Sequence, residues 1–244
     1  IPVQVEKEIE FLHQKWPGVK KYIAYFQNFT NTHGPVEVLR ERFEQAVDRP
    51  DIVGINIGTR PDCLADDVLD YLSELNERMT VWVELGLQTT YQETSDLINR
   101  AHDYQTYLDA VVKLRARGIL VCVHLINGLP GETQEMMVEN VRRVVADSDI
   151  QGIKLHLLHL MTGTRMQRDF HQGALQLMAF DDYVNVICDQ LEIIPKEISI
   201  HRLTGDAPRD MLIGPMWSLK KWEVLNAIDA ELERRNVFQG DKAC

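Results

Sequence analysis

Short apolar runs alternate with longer amphipathic segments along the whole chain. The runs are rich in β-branched and aromatic residues and predict strands, whereas the apolar spacing between them predicts helices. The predicted strands span residues 22–27, 52–57, 81–85, 119–125, 153–158 and 198–202. The predicted helices span residues 36–47, 64–75, 104–116, 133–145, 181–191 and 220–235. This alternation is typical of parallel strands joined by crossover helices and predicts an α/β fold.

One further helix start is indicated by residue type. Thr90 and Glu93 form a capping-box pattern shortly before the apolar Leu97 and Ile98. In such a box the hydroxyl of the first residue accepts a hydrogen bond from a free backbone N–H of the helix. We therefore predict that Thr90 caps a helix that follows the third strand.

The predicted strands have one apolar and one polar face. Successive side chains of a strand point to opposite faces, and the apolar face must meet the helices. The alternate positions are Asn56, Glu84, Cys122, His124, Lys154, His156, Ser199 and His201. We expect six of these side chains to converge inside a barrel or partial barrel, namely Asn56, Glu84, His124, Lys154, His156 and His201. An unpaired buried charge costs several kcal/mol, so this pattern predicts a ligand site.

Two simpler interpretations of the polar face remain open. Glu84 and Lys154 could form a satisfied internal ion pair. Alternatively, the strand registers could differ by one residue, which would turn each side chain to the other face. The aromatic residues of the first strand, Tyr22, Tyr25 and Phe26, could stack a nucleic-acid base, but on an apolar strand of an acidic protein we predict that they lie in the core.

Length and charge set the class of protein. The 244 residues, of which 45% are hydrophobic and 26% charged, suit one large globular domain, and we predict a barrel over 1–203 with a C-terminal helical extension over 204–244. The net charge of −11 disfavours a surface made to grip nucleic-acid phosphates or anionic lipid. No apolar run approaches the roughly 18 residues that span a bilayer, and we expect a cytoplasmic protein.

The cysteines are too dispersed to form a recognisable ligand set. Cys63, Cys122, Cys188 and Cys244 lie far apart in the sequence. Their spacing matches neither a disulfide framework nor a zinc or iron–sulfur motif. We expect reduced thiols.

Three loops that follow predicted strands carry residues suited to ligand binding. Residues 58–62 read Gly-Thr-Arg-Pro-Asp, and Arg60 either holds a carboxylate of a ligand or pairs with Asp62 and Asp66. Residues 84–89 end the third strand in a similar way. Residues 128–133 read Gly-Leu-Pro-Gly-Glu-Thr, which suits either close backbone approach to a ligand or simply a tight turn into a helix.

Together, these loops resemble segments of the radical S-adenosylmethionine (SAM) superfamily, especially the branch with the Elongator catalytic subunit and the YhcC-type bacterial proteins. The likeness is carried by residues 59–62, 84–88, 99–102 and 128–133, and extends from about Tyr22 to Arg202. It implies a partial (β/α) TIM-like barrel of parallel strands with outer helices. The family's Cys-x3-Cys-x2-Cys motif is absent from this sequence, and residues 1–16 resemble the helix that follows it. We therefore expect the first strand and the cluster ligands upstream of Ile1.

The resemblance also implies a reaction and its cofactors. SAM and a four-iron, four-sulfur cluster would together give a 5′-deoxyadenosyl radical that acts on an unknown substrate, whether RNA, metabolite or peptide. This chain alone would lack that activity without the cluster segment. An electron donor such as flavodoxin or ferredoxin is implied, and a membrane partner is not.

The resemblance and the strand faces together predict a set of cofactor-binding residues. They predict no catalytic residue and no metal ligand in this chain. The predicted residues are Gln27, Asn28, Thr59, Arg60, Glu84, Gln88, His124, Asn127, Gly128, Lys154 and His156. Gln27 and Asn28 stand where the family has Gly-Gly-Glu near the SAM amino group.

Two other functions remain open from the sequence. The first is a divalent-metal hydrolase or lyase on a related barrel, with a zinc or manganese site. Its candidate ligands are His102, His124, His156, His201, Glu84 and Asp62. The second is a non-catalytic barrel that only binds a ligand.

Overall fold

The computed structural model describes residues 1–243 as alternating helices and strands. The helices are α1 (Pro2–Lys15), α2 (Val36–Val47), α3 (Asp66–Asn76), α4 (Gln92–Leu97), α5 (Tyr104–Arg115), α6 (Gln134–Asp147), α7 (Arg165–His171), α8 (Phe180–Ile193) and α9 (Lys221–Arg235). The strands are β1 (Tyr22–Phe26), β2 (Ile52–Thr59), β3 (Thr80–Gln88), β4 (Leu120–Asn127), β5 (Gly152–Leu157), β6 (Leu160–Met161), β7 (Ser199–Arg202) and β8 (Leu212–Gly214). The six predicted strands are confirmed as the main sheet, with order β1-β2-β3-β4-β5-β7.

The chain divides into two compact units. The first comprises Ile1–Gly86 and Gln105–Cys122, and the second comprises residues 87–104 and 123–243. In the first unit β1, β2 and β3 are parallel neighbours. In the second unit β5 and β7 are parallel, and β6 and β8 form a separate antiparallel pair that the sequence did not predict. The predicted extension 204–244 contains β8, a 3-10 helix at Met216–Leu219 and α9.

The core of the first unit lies between the strands and their helices. The apolar face of β2 and β3 is fully buried at Ile55, Ile57, Val81 and Val83. Phe43 of α2 is also fully buried. Its ring meets Phe26 edge-on at 4.8 Å and stacks with Tyr71 of α3 at 6.3 Å between centroids. This aromatic cluster fixes α2 and α3 relative to the strands.

Close approach between β1 and β2 depends on Gly58. A Cβ atom at this position would lie 3.2 Å from the carbonyl oxygen of Phe26 and 3.3 Å from that of Gln27. Such distances are tighter than ordinary van der Waals contact. Glycine therefore lets the chain leaving β1 run directly against the end of β2.

In the second unit, α8 packs against α6 and α9. The Arg235 guanidinium at the end of α9 contacts Asp189 of α8 at 2.6 Å and Glu231 at 2.7 Å, and it also donates to Asn185 at 2.7 Å. These charge-assisted hydrogen bonds attach the C-terminal helix to α8.

The predicted cap at Thr90 is wrong. Helix α4 begins after Tyr91, which provides no side-chain cap. Thr90 instead donates from its hydroxyl and from its backbone N–H to Asn140 Oδ1, both at 2.7 Å. Asn140 lies on α6 and is buried, so its oxygen requires donors that water cannot supply. This tertiary demand overrides the local capping pattern.

The loop after β4 is anchored by the half-buried carboxylate of Glu132. Glu132 accepts hydrogen bonds from the Thr89 hydroxyl and from Asn140 Nδ2, the latter at 3.0 Å. Burial raises the pKa of the Glu132 carboxyl above its usual value, and the hydrogen bonds only partly oppose this effect. The anchor therefore fixes loop 128–133 to the segment that follows β3.

The raised pKa of Glu132 predicts a pH dependence of stability. Because the folded protein binds this proton more tightly than the unfolded chain, the contribution to stability is present at low pH and is lost as pH rises through the folded pKa. We expect the free energy of unfolding of the wild type, relative to Glu132→Gln, to fall as pH rises above the ordinary glutamate range. Urea titrations of both proteins at a series of pH values measure this difference. A difference that increases with pH would contradict the prediction.

The aromatic cluster predicts a large loss of stability for Phe43→Ala. Removing a fully buried phenylalanine costs about 3–5 kcal/mol. Phe11→Ala is the matched control, because Phe11 is 63% exposed and its loss should cost under about 1 kcal/mol. Urea unfolding followed by circular dichroism measures both. Equal losses would show that the cluster does not stabilise the first unit.

Candidate functional site

A buried carboxylate joins three neighbouring strands of the first unit. Glu84 on β3 is only 1% exposed. Its Oε2 accepts a hydrogen bond from the Tyr25 hydroxyl on β1 at 2.6 Å, and its Oε1 accepts one from Asn56 Nδ2 on β2 at 2.6 Å. The register explains the contact, because Tyr25 pairs with Asn56, and Glu84 pairs with Gly58 two residues further along β2. The three polar side chains therefore share one face of the sheet.

This hydrogen bonding fixes the orientation of the Asn56 amide. The amide nitrogen donates to Glu84 Oε1, so the amide oxygen points elsewhere. Asn56 Oδ1 is buried and has no hydrogen-bond partner within residues 1–243. Leaving such an acceptor unpaired costs about 1–3 kcal/mol. The face therefore presents a fixed, unsatisfied carbonyl group.

Tyr25 is the residue that sequence reasoning missed. It was predicted to be core, but its side chain is 40% exposed and its hydroxyl contacts Glu84. The signal was present in the strand periodicity. Tyr22 and Ala24 are buried, which places Ile23 and Tyr25 on the opposite face, in phase with Asn56.

The loop after β2 holds two of the predicted cofactor-binding residues. Thr59 is nearly buried, and its hydroxyl lies 2.5 Å from that of Thr32. Arg60 forms a bidentate ion pair with Asp62, with 2.9 Å between Nε and Oδ1. The pairing with Asp62 that the sequence allowed is therefore present, and it raises the pKa of Arg60 further. A contact of Arg60 with a ligand carboxylate stays a prediction.

Other predicted residues lie where β1 and β3 end. Gln27 and Asn28 directly follow β1 and are exposed. Gln88 is the last residue of β3 and has a left-handed backbone with φ of 76°. Such a conformation is rare for residues other than glycine, and it changes the direction of the backbone at the end of the strand.

In the second unit, two predicted histidines are adjacent. The rings of His124 on β4 and His156 on β5 have centroids 5.1 Å apart and are tilted by 44°. Lys154, two residues before His156 on β5, is only 7% exposed. The alternation along β5 therefore places Lys154 and His156 on one face, as predicted from the sequence.

The end of β4 is tied to α8 by a pair of amides. Asn127 Nδ2 donates to Gln190 Oε1 at 2.9 Å, and Gln190 Nε2 donates back to Asn127 Oδ1 at 2.8 Å. Gln190 also donates to the carbonyl oxygen of Met137 at 2.9 Å. The amide of Asn127 is thus engaged at both ends, and its predicted contact with a cofactor stays a prediction.

Gly128 follows Asn127 with φ of +83°, a conformation that L side chains rarely adopt. Loop 128–133 lines a cavity of about 520 Å³ together with the segment from Ala174 to Ala179. The positive φ lets the chain turn sharply from the strand end into this cavity wall. Glycine is therefore required here by the backbone, independently of any ligand.

The cysteines of residues 1–243 do not suit an iron–sulfur cluster. Cys63, Cys122 and Cys188 are free. Burial raises the pKa of the Cys63 thiol, and it raises the pKa of Cys188 to about 11. Their spacing in the sequence does not match the Cys-x3-Cys-x2-Cys pattern.

The metal-site alternative loses one of its candidate ligands. His102 is 7% exposed, and its Nε2 lies 3.1 Å from Arg100 Nη2. Since a guanidinium only donates, His102 Nε2 must accept, and the ring proton sits on Nδ1, which lies 3.4 Å from the carbonyl oxygen of Asp103. Both ring nitrogens of His102 therefore contact neighbouring residues. His201, another candidate ligand, is exposed.

Within residues 1–243, no helix combines the length and the apolar character that a bilayer crossing demands. The helices described above are therefore not membrane spans.

Comparison with protein families gives two matches that together cover most of the chain. Residues 1–144 match the Radical SAM superfamily, and residues 150–234 match the Radical_SAM C-terminal domain. The first match includes β1 to β4 and the second includes α8 and α9. Both polar strand faces therefore lie within matched segments.

Two bacterial relatives are similar over most of this chain. The chain is 60% identical to uncharacterized protein YtqA of Bacillus subtilis over 94% of its own length and 70% of that protein. It is 40% identical to protein YhcC of Escherichia coli over 89% of its own length and 71% of that protein. These identities connect the chain to the YhcC-type branch that the loop motifs indicated.

A solved structure shows the same fold at low sequence identity. The archaeal Methanocaldococcus infernus Elp3 with an N-terminal deletion matches with a TM-score of 0.83 and 20% identity, over 97% of this chain and 59% of that chain. The shared fold is the partial (β/α) barrel, which confirms the predicted fold class. The family match over residues 1–144 and the two bacterial relatives show that the chain belongs to the radical SAM superfamily.

Proposed function

We propose that this chain forms the SAM-binding part of a radical SAM enzyme whose substrate is not identified by these residues. The observation that carries the proposal is the polar face formed by Tyr25, Asn56 and Glu84, with the unsatisfied carbonyl group of Asn56. A purely structural face would be filled by aliphatic side chains. SAM carries hydroxyl and amino groups that can satisfy a buried acceptor, so the face fits this cofactor.

The residues proposed to hold SAM are those predicted from the sequence. They are Gln27, Asn28, Thr59, Arg60, Glu84, Gln88, His124, Asn127, Gly128, Lys154 and His156. Within each unit these residues lie on strands or directly after them, which is where α/β barrels bind ligands. Their tasks are to bind and orient the cofactor and to exclude water from it.

The proposed reaction requires an iron–sulfur cluster and an electron donor in addition to these residues. When bound to a reduced four-iron cluster, SAM supplies the 5′-deoxyadenosyl radical that removes a hydrogen atom from substrate. We propose cluster ligands outside this sequence, a small electron-transfer protein such as flavodoxin or ferredoxin as reductant, and action in the cytoplasm. We also propose residues 1–203 as the barrel and 204–244 as its extension.

The proposal predicts SAM cleavage by the complete polypeptide with its cluster. After anaerobic reconstitution with iron and sulfide, we expect 5′-deoxyadenosine to form when dithionite and SAM are added. The control omits dithionite and should give no product. Chromatography coupled to mass spectrometry measures the nucleoside. A protein with an intact cluster, verified by electron paramagnetic resonance, that forms no 5′-deoxyadenosine would contradict the proposed function.

The proposed role of loop 128–133 predicts a selective effect of Gly128→Ala. Alanine is strained at a φ of +83° and should shift the loop that contacts the cofactor. We expect at least about tenfold weaker SAM binding, measured by equilibrium dialysis. Gly163→Ala is the matched control, because Gly163 has a similar φ of +78° in an exposed turn.

Both glycine variants should lose comparable stability, about 1–3 kcal/mol, because both strain the backbone. Only Gly128→Ala should lose SAM affinity. Equal SAM affinity of the two variants would remove loop 128–133 from the proposed binding site.

A further inference from the structure

The Asn56 amide has a defined hydrogen-bonding direction on the Tyr25–Asn56–Glu84 face. Its nitrogen donates to Glu84 Oε1 at 2.6 Å. Reversing the amide would place two oxygen atoms at that distance. Asn56 Oδ1 is therefore turned away from Glu84 Oε1, and the Tyr25 hydroxyl donates to Glu84 Oε2 at 2.6 Å.

An acceptor of this kind selects its partner by chemistry. Asn56 Oδ1 is buried and lacks a hydrogen-bond partner among residues 1–243. An N–H group, an O–H group or a cation can satisfy it, whereas a carboxylate or ether oxygen would be repelled. The terminal torsion of asparagine is soft, so a small rotation lets the oxygen meet a ligand while the nitrogen keeps its bond to Glu84.

The position of Asn56 on β2 is consistent with a ligand bound at the strand ends. Asn56 is the fifth of the eight residues of β2, and Gly58 and Thr59 follow it to the carboxyl end. At about 3.3 Å per residue, the acceptor lies roughly 10 Å below that end. A cofactor of the length of SAM spans this distance when one of its ends enters the face.

We propose that Asn56 is a specificity-determining residue that accepts a hydrogen bond from a hydroxyl or amino group of SAM, with Glu84 and Tyr25 as the residues that position it. The inference rests on the proposed function, since it takes SAM as the ligand. The donor belongs either to the nucleoside, as a ribose hydroxyl or the adenine amino group, or to the amino-acid part, as its ammonium group.

The test compares two variants that each remove one hydrogen bond from Glu84. Asn56→Leu keeps the approximate shape but removes the acceptor. Tyr25→Phe removes the hydrogen bond from the tyrosine hydroxyl to Glu84 and leaves Asn56 and its contact with Glu84 in place. The complete polypeptide with its cluster is used, and the dissociation constant for SAM is measured by equilibrium dialysis in the absence of reductant. The inhibition constant of 5′-deoxyadenosine is measured by displacement of labelled SAM.

We expect Asn56→Leu to weaken SAM binding about tenfold and Tyr25→Phe to weaken it less than about threefold. A parallel loss for 5′-deoxyadenosine assigns the donor to the nucleoside, and a loss for SAM alone assigns it to the amino-acid part. Both results support the proposal.

Two results would overturn the proposal while leaving the proposed function intact. One is a wild-type dissociation constant for Asn56→Leu. The other is an equal loss of SAM affinity in both variants, because the loss would then result from the missing hydrogen bond to Glu84 and not from the missing acceptor of Asn56. If the wild type itself does not bind SAM, the proposed function fails and this inference fails with it.

Folding is checked on each variant by circular dichroism and the thermal midpoint. Asn56→Ala cannot overpack the face, and it replaces Asn56→Leu if the leucine variant does not fold. The same tenfold loss is expected for the alanine variant, and a wild-type dissociation constant for it would equally overturn the proposal.

Discussion

A carboxylate withdrawn from water needs hydrogen-bond donors, and the arrangement of β1, β2 and β3 supplies them to Glu84. At 1% exposure, the side chain cannot rely on solvent, so Tyr25 and Asn56 must reach it from neighbouring strands. That requirement sets the pairing register, since a shift by one residue would turn Tyr25 or Asn56 to the helix side. The same requirement leaves the Asn56 oxygen facing away from its neighbours. The strand register and the free acceptor of Asn56 thus have the same cause.

The two faces of the strands perform different tasks. Ile55, Ile57, Val81 and Val83 are fully buried and meet the helices, which gives the first unit its stability. The alternate positions carry the polar groups that would be costly in a core. Because the alternation is strict, an enzyme of this fold can change its polar face without disturbing its core. This separation explains how relatives with limited identity keep the same barrel.

The fold could be predicted from periodicity, whereas parts of the site could not. Alternation between apolar runs and amphipathic segments located all six strands of the main sheet within a few residues. Strand parity placed Asn56 and Glu84 on a common face. On β1 the aromatic character of Tyr25 favours the core. Its actual direction follows from the alternation of side chains along the strand, because the neighbouring Ala24 is buried.

Tertiary hydrogen bonds account for what the sequence could not predict. Thr90 has the pattern of a helix cap, but its hydroxyl serves the buried amide of Asn140, a residue 50 positions away. The contact between Asn127 and Gln190 spans 63 positions and has no local signal. Short strands β6 and β8 pair with each other across a long segment and likewise lack a pattern of their own. Such contacts depend on which segments the fold brings together.

The reciprocal amides of Asn127 and Gln190 carry no charge, so neither acid nor salt loosens the attachment of β4 to α8. This neutrality has an evolutionary cost. Changing one amide alone leaves the other with a buried donor and acceptor that nothing satisfies, whereas exchanging both for apolar residues of similar volume removes the penalty. In relatives of this chain, the residues at these two positions should therefore change together.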